Sequence, residues 1–104
     1  MKTYVVERDD APDLRFSGEL VAERSNRSFT GPTQNKWEEL SLYRTAAGQW
    51  VAARVCCSNW QGSRDYHEAV VSKTAAKVQE FFGWGENAKA LYALAGFDLT
   101  TYVE

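Results

Sequence analysis

The chain is poor in the residues that mark special chemistry. Among 104 residues there are one histidine, one methionine, two cysteines and two prolines. The cysteines are neighbours, Cys56 and Cys57. In a strand their side chains point to opposite faces, so a mutual bridge would distort the backbone, and a disulfide scaffold is excluded. Zinc sites need Cys and His at short repeated spacings, which Cys56-Cys57 and His67 do not supply. Asp9, Asp10 and Asp13 lack a Ca²⁺-loop pattern, and Gly83-Trp84-Gly85 lacks the third glycine and preceding strand of a dinucleotide loop. No metal and no cofactor are expected. The longest apolar run is a handful of residues, too short for a bilayer-crossing helix. The start, Met1-Lys2-Thr3-Tyr4-Val5-Val6-Glu7, meets an acid too early for a secretory signal. Unpaired thiols then favour the reducing cytoplasm.

What is present is ordinary globular composition. Hydrophobic residues make up 44% and charged residues 25%, enough for one domain over 1–104 and against disorder, collagen or coiled coil. The net charge of −2 conceals an uneven distribution. Residues 1–23 sum to −3, residues 24–64 to +4 and residues 65–104 to −3. A cationic middle, carried by Arg24, Arg27, Lys36, Arg44, Arg54 and Arg64, suits a partner of opposite sign, because complementary fields steer encounter.

Hydrophobic alternation with period two predicts strands over Lys2–Arg8, Leu14–Arg24, Trp37–Thr45, Gln49–Cys57 and Tyr66–Val71. Alternation places Leu14, Phe16, Leu20 and Ala22 on one face. Gly48 is free to adopt the positive φ that a hairpin needs. After Val71 the period becomes helical. Ser72 is a candidate N-cap, Ala75, Val78, Phe81 and Phe82 form a stripe, and Gly83 stops the helix. A second helix from about Glu86 turns Ala88, Leu91, Tyr92 and Ala95 inward and closes at Gly96. The expected fold is α+β: an antiparallel meander of five strands with two C-terminal helices packed on one face. The helices should bury Phe81, Phe82, Leu91 and Leu94 against Leu14, Phe16, Leu20, Leu40 and Leu42. The tail from Phe97 to Glu104 could add an edge strand or lie along the sheet.

Two longer connections, Ser25–Lys36 and Ser58–Asp65, join alternate strand pairs and should share one end of such a meander. Loops on a rigid sheet are where binding residues concentrate. That end would gather Arg24, Arg27, Phe29, Lys36, Trp60, Gln61, Arg64 and His67, with Asp65 as the sole nearby acid and the Asp9–Asp13 turn at the opposite end. Trp, Tyr and Arg dominate protein-binding hot spots, which favours a protein partner with an acidic surface. Aromatics interleaved with bases (Phe29, Trp37, Tyr43, Trp50, Trp60, Tyr66) also suit stacking on single-stranded nucleic acid, so a nucleic-acid-binding regulator is the second reading. Cys57, His67 and Asp65 supply the residue types of a nucleophile, base and orienting acid, but that trio is common to most small chains. No catalytic residue is assigned, and an enzyme ranks last.

Across 36–96 the sequence resembles a family of small accessory proteins of plasmids, integrative elements and phages. The resemblance is carried by Trp37-Glu38-Glu39-Leu40-Ser41-Leu42-Tyr43-Arg44-Thr45, Gly48, Val51, Trp60-Gln61-Gly62 and Asp65. Phe81-Phe82-Gly83, Ala88-Lys89-Ala90-Leu91-Tyr92 and Ala95-Gly96 complete it. It implies a genetic context in which small proteins regulate transfer or disable host defences, among them anti-CRISPR and anti-restriction inhibitors.

Overall fold

The structure, a computed structural model, describes residues 2–25, 36–58 and 64–97. Five strands, β1 (Lys2–Val6), β2 (Leu14–Ser25), β3 (Lys36–Thr45), β4 (Trp50–Ser58) and β5 (Tyr66–Ser72), form one sheet in sequential order. All four pairings are antiparallel. Helices α1 (Ala75–Phe82) and α2 (Glu86–Ala95) follow. The α+β meander is the one the hydrophobic periodicity predicts.

Local chemistry sets the element ends. Gly48 carries the β3–β4 hairpin at φ 84°, a value that costs a Cβ-bearing residue. The N-cap of α1 is Thr74 rather than Ser72: the Thr74 hydroxyl accepts from the Lys77 N–H at 3.4 Å, while the Ser72 hydroxyl accepts from the Thr74 N–H at 3.0 Å. The two hydroxyls thus hold the turn in series, and the helix begins later. Gly96 ends α2 in the left-handed region at φ 80°, releasing its N–H to the carbonyls of Ala93 and Tyr92.

The sheet has two apolar faces, and β2 contributes to both. The register changes between Leu20, which pairs with Tyr43, and Ala22, which pairs with Leu42. Val21 is the extra residue of this bulge, and it reverses which face the even-numbered positions occupy. Ala22 therefore joins Leu40, Leu42 and Ala52 beneath Val78, Phe82, Ala88, Leu91 and Tyr92. Leu14 and Phe16 lie instead on the other face, against Val6, Ala53, Ala69 and Tyr43. Leu20 stays 40% exposed, so the single apolar face expected for Leu14, Phe16, Leu20 and Ala22 does not form. Leu94 is also corrected: it falls off the α2 stripe and is 60% exposed. Phe81 packs at the margin of the helix-side core, partly buried.

The second face is covered by the sheet's own curl. Val6 of β1 packs on Ala53 of β4 and Ala69 of β5, although β1 and β5 are the two edges of the sheet. The seam is latched at Asp9. Its N–H donates to the His67 carbonyl at 2.9 Å, and its carboxylate accepts the His67 N–H at 2.7 Å. In a flat sheet these residues would be far apart. The ladder sets Lys2 level with Gly18 and Thr45, and Trp50 level with Ser72, so Asp9 runs past one side of that level and His67 past the other. At about 3.3 Å per residue the flat offset would be roughly 40 Å along the strands. Only strong coiling closes it, and the β2 bulge supplies extra local twist.

Candidate binding cleft at the start of strand five

The cleft begins with the β3–β4 ladder, where Lys36 pairs with Ser58, Trp37 with Cys57 and Glu38 with Cys56. Asp65 then caps the strand end, its carboxylate accepting the Ser58 N–H at 3.3 Å. This turns the chain so that Arg64 and Tyr66 stand beside Lys36 and Cys56. The resulting open cleft measures about 470 Å³ and is lined by Lys36, Trp37, Glu38, Cys56, Cys57, Ser58, Arg64 and Tyr66.

Of the residues expected at this end, Lys36 and Arg64 meet here. Arg24 lines a separate hollow of about 430 Å³ with Glu23, Ser25 and Glu39. His67 is partly buried at the seam, and its Nε2 lies 3.5 Å from Glu7. Arg27, Phe29, Trp60 and Gln61 lie outside the described residues. So does the tail from residue 98.

The expectation of an almost acid-free end is overturned. Coiling brings the Asp9–Asp13 turn across the sheet to β5 instead of leaving it opposite. Arg64, with an 84% exposed side chain, has Asp9 at 3.9 Å. The negative charge of Asp10 is the main reason the Tyr66 hydroxyl titrates above its ordinary value, with Glu68 and Asp9 adding to it. Glu38 stands on the cleft wall itself. The surface is therefore mixed in sign. The parity of a flat meander could not reveal this, because the contact depends on coiling.

The thiols are held in their neutral state. Burial, reinforced by Glu39 and Asp65, pushes the Cys57 thiol up to about 11, and burial with Glu68 also raises Cys56. Reactive cysteines show the opposite shift. The Cys57 sulfur approaches the Val55 carbonyl at 3.9 Å, Asp65 bonds the Ser58 amide, and His67 faces Glu7. The three groups thus take separate partners rather than forming a relay. Cys57 is buried and Cys56 is exposed.

The aromatics divide similarly. Tyr43 is locked against Tyr4 and Phe16, with ring centroids 4.9 and 5.2 Å away. Trp50 packs edge-on to Phe97 and lies 4.2 Å below the Arg44 guanidinium. Both serve packing. Trp37 donates its indole N–H to Glu39 at 3.2 Å, and Tyr66 is 43% exposed. Among the described residues no helix is long and apolar enough to cross a membrane, and no cluster of His, Cys, Asp and Glu has metal-binding geometry. Compared with protein-family models, with curated proteins and with solved structures, the chain finds no match in any of the three, so the mobile-element resemblance rests on its sequence signatures alone.

Proposed function

We propose that this chain is a non-catalytic protein-binding protein of a mobile genetic element, acting in the cytoplasm as a stoichiometric inhibitor of a bacterial defence complex. The observation that carries the binding reading is the cleft at the start of β5. There a projecting Arg64 and an exposed Tyr66 stand beside Lys36 and Trp37, within a rim that includes Asp9, Asp10 and Glu38. Arginine and aromatic side chains at the centre of a polar rim are the composition of a protein-binding hot spot. A partner would offer carboxylates to Arg64 and Lys36 and an apolar group to the Tyr66 ring. The acids at the rim repel a polyanion, and Tyr43 and Trp50 are consumed by packing, which sets a protein partner ahead of nucleic acid. The defence-inhibitor part of the reading comes from the resemblance over 36–96.

The test is capture of partners from bacterial lysate with and without nuclease, followed by titration of the purified partner. A stoichiometric complex that survives nuclease and loses about 2 kcal/mol or more on Arg64→Ala supports the reading. Loss of all binding on nuclease treatment transfers the surface to nucleic acid.

A further inference from the structure

Strand β2 runs past the end of its neighbour β3. Their ladder stops at Gly18↔Thr45, while β2 continues along β1 as far as Leu14. The last bond from the hairpin to β2 runs from the Ala46 N–H to the Ser17 carbonyl, at 2.8 Å. Backbone groups alternate in direction along a strand. Arg15, two residues away, therefore turns its N–H and its carbonyl the same way as Ser17, away from β1. No strand remains on that side to receive them, and among the described residues nothing bonds either group.

Arg15 borders an open hollow of about 320 Å³. Its apolar wall comes from three strands: Leu14 and Phe16 of β2, Val51 of β4 and Val71 of β5. Val51 and Val71 stand opposite each other in the ladder. The buried part of this second core is small, Val6 with the two alanines Ala53 and Ala69, so the curled sheet is not filled to its mouth. Leu14 and Phe16 stay partly buried, and Val71 is 44% exposed. The hollow lies at the hairpin end of β3 and β4, opposite the cleft at the start of β5, and it is independent of that cleft.

We propose that this hollow binds a planar heteroaromatic ligand of one or two rings that carries an amino group beside a ring nitrogen. The ring nitrogen accepts the Arg15 N–H, the amino group donates to the Arg15 carbonyl, and the ring body fills the apolar space. Two observations select this chemistry. A single residue offers one donor and one acceptor side by side, which is the complement of that ligand edge. An extended peptide would need outward groups on alternate residues, but Ala46 already holds the Ser17 carbonyl and β2 begins at Leu14. The volume also stands at the low end of the roughly 300–1,000 Å³ of small-molecule sites, room for a ring system. The Arg15 side chain takes no part, because alternation turns it to the opposite face of β2 from Leu14 and Phe16.

Titrating the full chain with aminoquinoxaline, whose amino group adjoins a ring nitrogen, tests this by NMR. A Kd of about 1 mM or tighter is expected, with shifts concentrated at the Arg15 amide and at the methyl groups of Leu14, Val51 and Val71. Quinoxaline, which lacks the donor, should bind about tenfold more weakly. Val71→Trp fills the hollow from an exposed position and should abolish binding, with thermal melts reporting that the fold is intact. Arg15→Ala keeps the backbone pair and should change the affinity by less than about twofold. No shifts at about 5 mM ligand would overturn the proposal. Equal affinity for the two ligands also overturns it, because the hollow would then take any apolar ring. So does full binding by a folded Val71→Trp variant, which would put the ligand elsewhere. If that variant melts early, the comparison of the two ligands decides alone.

Discussion

Replacing Asp9 by alanine should loosen the whole sheet, whereas the same change at Asp10 should not. The Asp9 carboxylate is 20% exposed and accepts the His67 amide at 2.7 Å, and it supports Arg64 at 3.9 Å. A hydrogen bond to a charged acceptor contributes about 1.5–3 kcal/mol, and the partial exposure of this one argues for the lower part of that range. The Arg64 contact adds little, since Arg64 is 84% exposed and solvent screens the pair. An overall cost of about 1.5–2 kcal/mol follows. With a urea m-value of about 1–1.5 kcal/mol/M for a small domain, the unfolding midpoint should fall by about 1–2 M. Asp10 acts on Tyr66 only through its charge, so Asp10→Ala should stay within about 0.5 kcal/mol. Hydrogen exchange at the His67 amide should accelerate in the Asp9 variant. An unchanged midpoint, or equal losses for the two aspartates, would show that the edges of the sheet are not held together by this latch.

Phe82→Ala should cost about 3–5 kcal/mol in denaturant unfolding, because the ring is buried in the helix-side core, while Leu94→Ala should be near neutral at a 60% exposed site. Gly18→Ala should destabilise by about 1–3 kcal/mol or more, since the new Cβ would fall within 2.2 Å of the Arg44 carbonyl oxygen on the adjacent strand. Alkali should unfold the protein in a defined window. Burial raises Tyr92 from 10 to about 12 and Cys57 from 9 to about 11, so the folded state holds these protons more tightly than the unfolded chain. The stabilisation is complete below pH 9 and is lost as pH rises through 11 to 12, a slope that thermal melts across this range should show and that Tyr92→Phe should flatten above pH 10. Tyr92→Phe also removes the 2.7 Å bond from its hydroxyl to the Gly83 carbonyl, at a cost of about 1 kcal/mol near neutral pH. Thiol labelling at pH 8 should modify the exposed Cys56 well before the buried Cys57.

Much of the architecture is legible in local sequence because local forces determine it. The alternation in Trp37–Thr45 and Gln49–Cys57, the glycine at 48 and the change to helical period after Val71 each act within a few residues, and each yields the element it implies. Leu40, Leu42, Leu91 and Tyr92 are buried for the same reason: period and apolarity coincide, and neighbouring strands pair in order. Tertiary structure decided what period alone could not express. One inserted residue at Val21 reversed the faces of β2, sending Leu14 and Phe16 to a second core and leaving Leu20 in solvent. Coiling then carried Asp9 to His67 and Arg64, converting an apparently cationic end into one of mixed sign. No pattern near Asp9 encodes that contact. It arises from twist accumulated over five paired strands, a property of the closed sheet rather than of any segment in it.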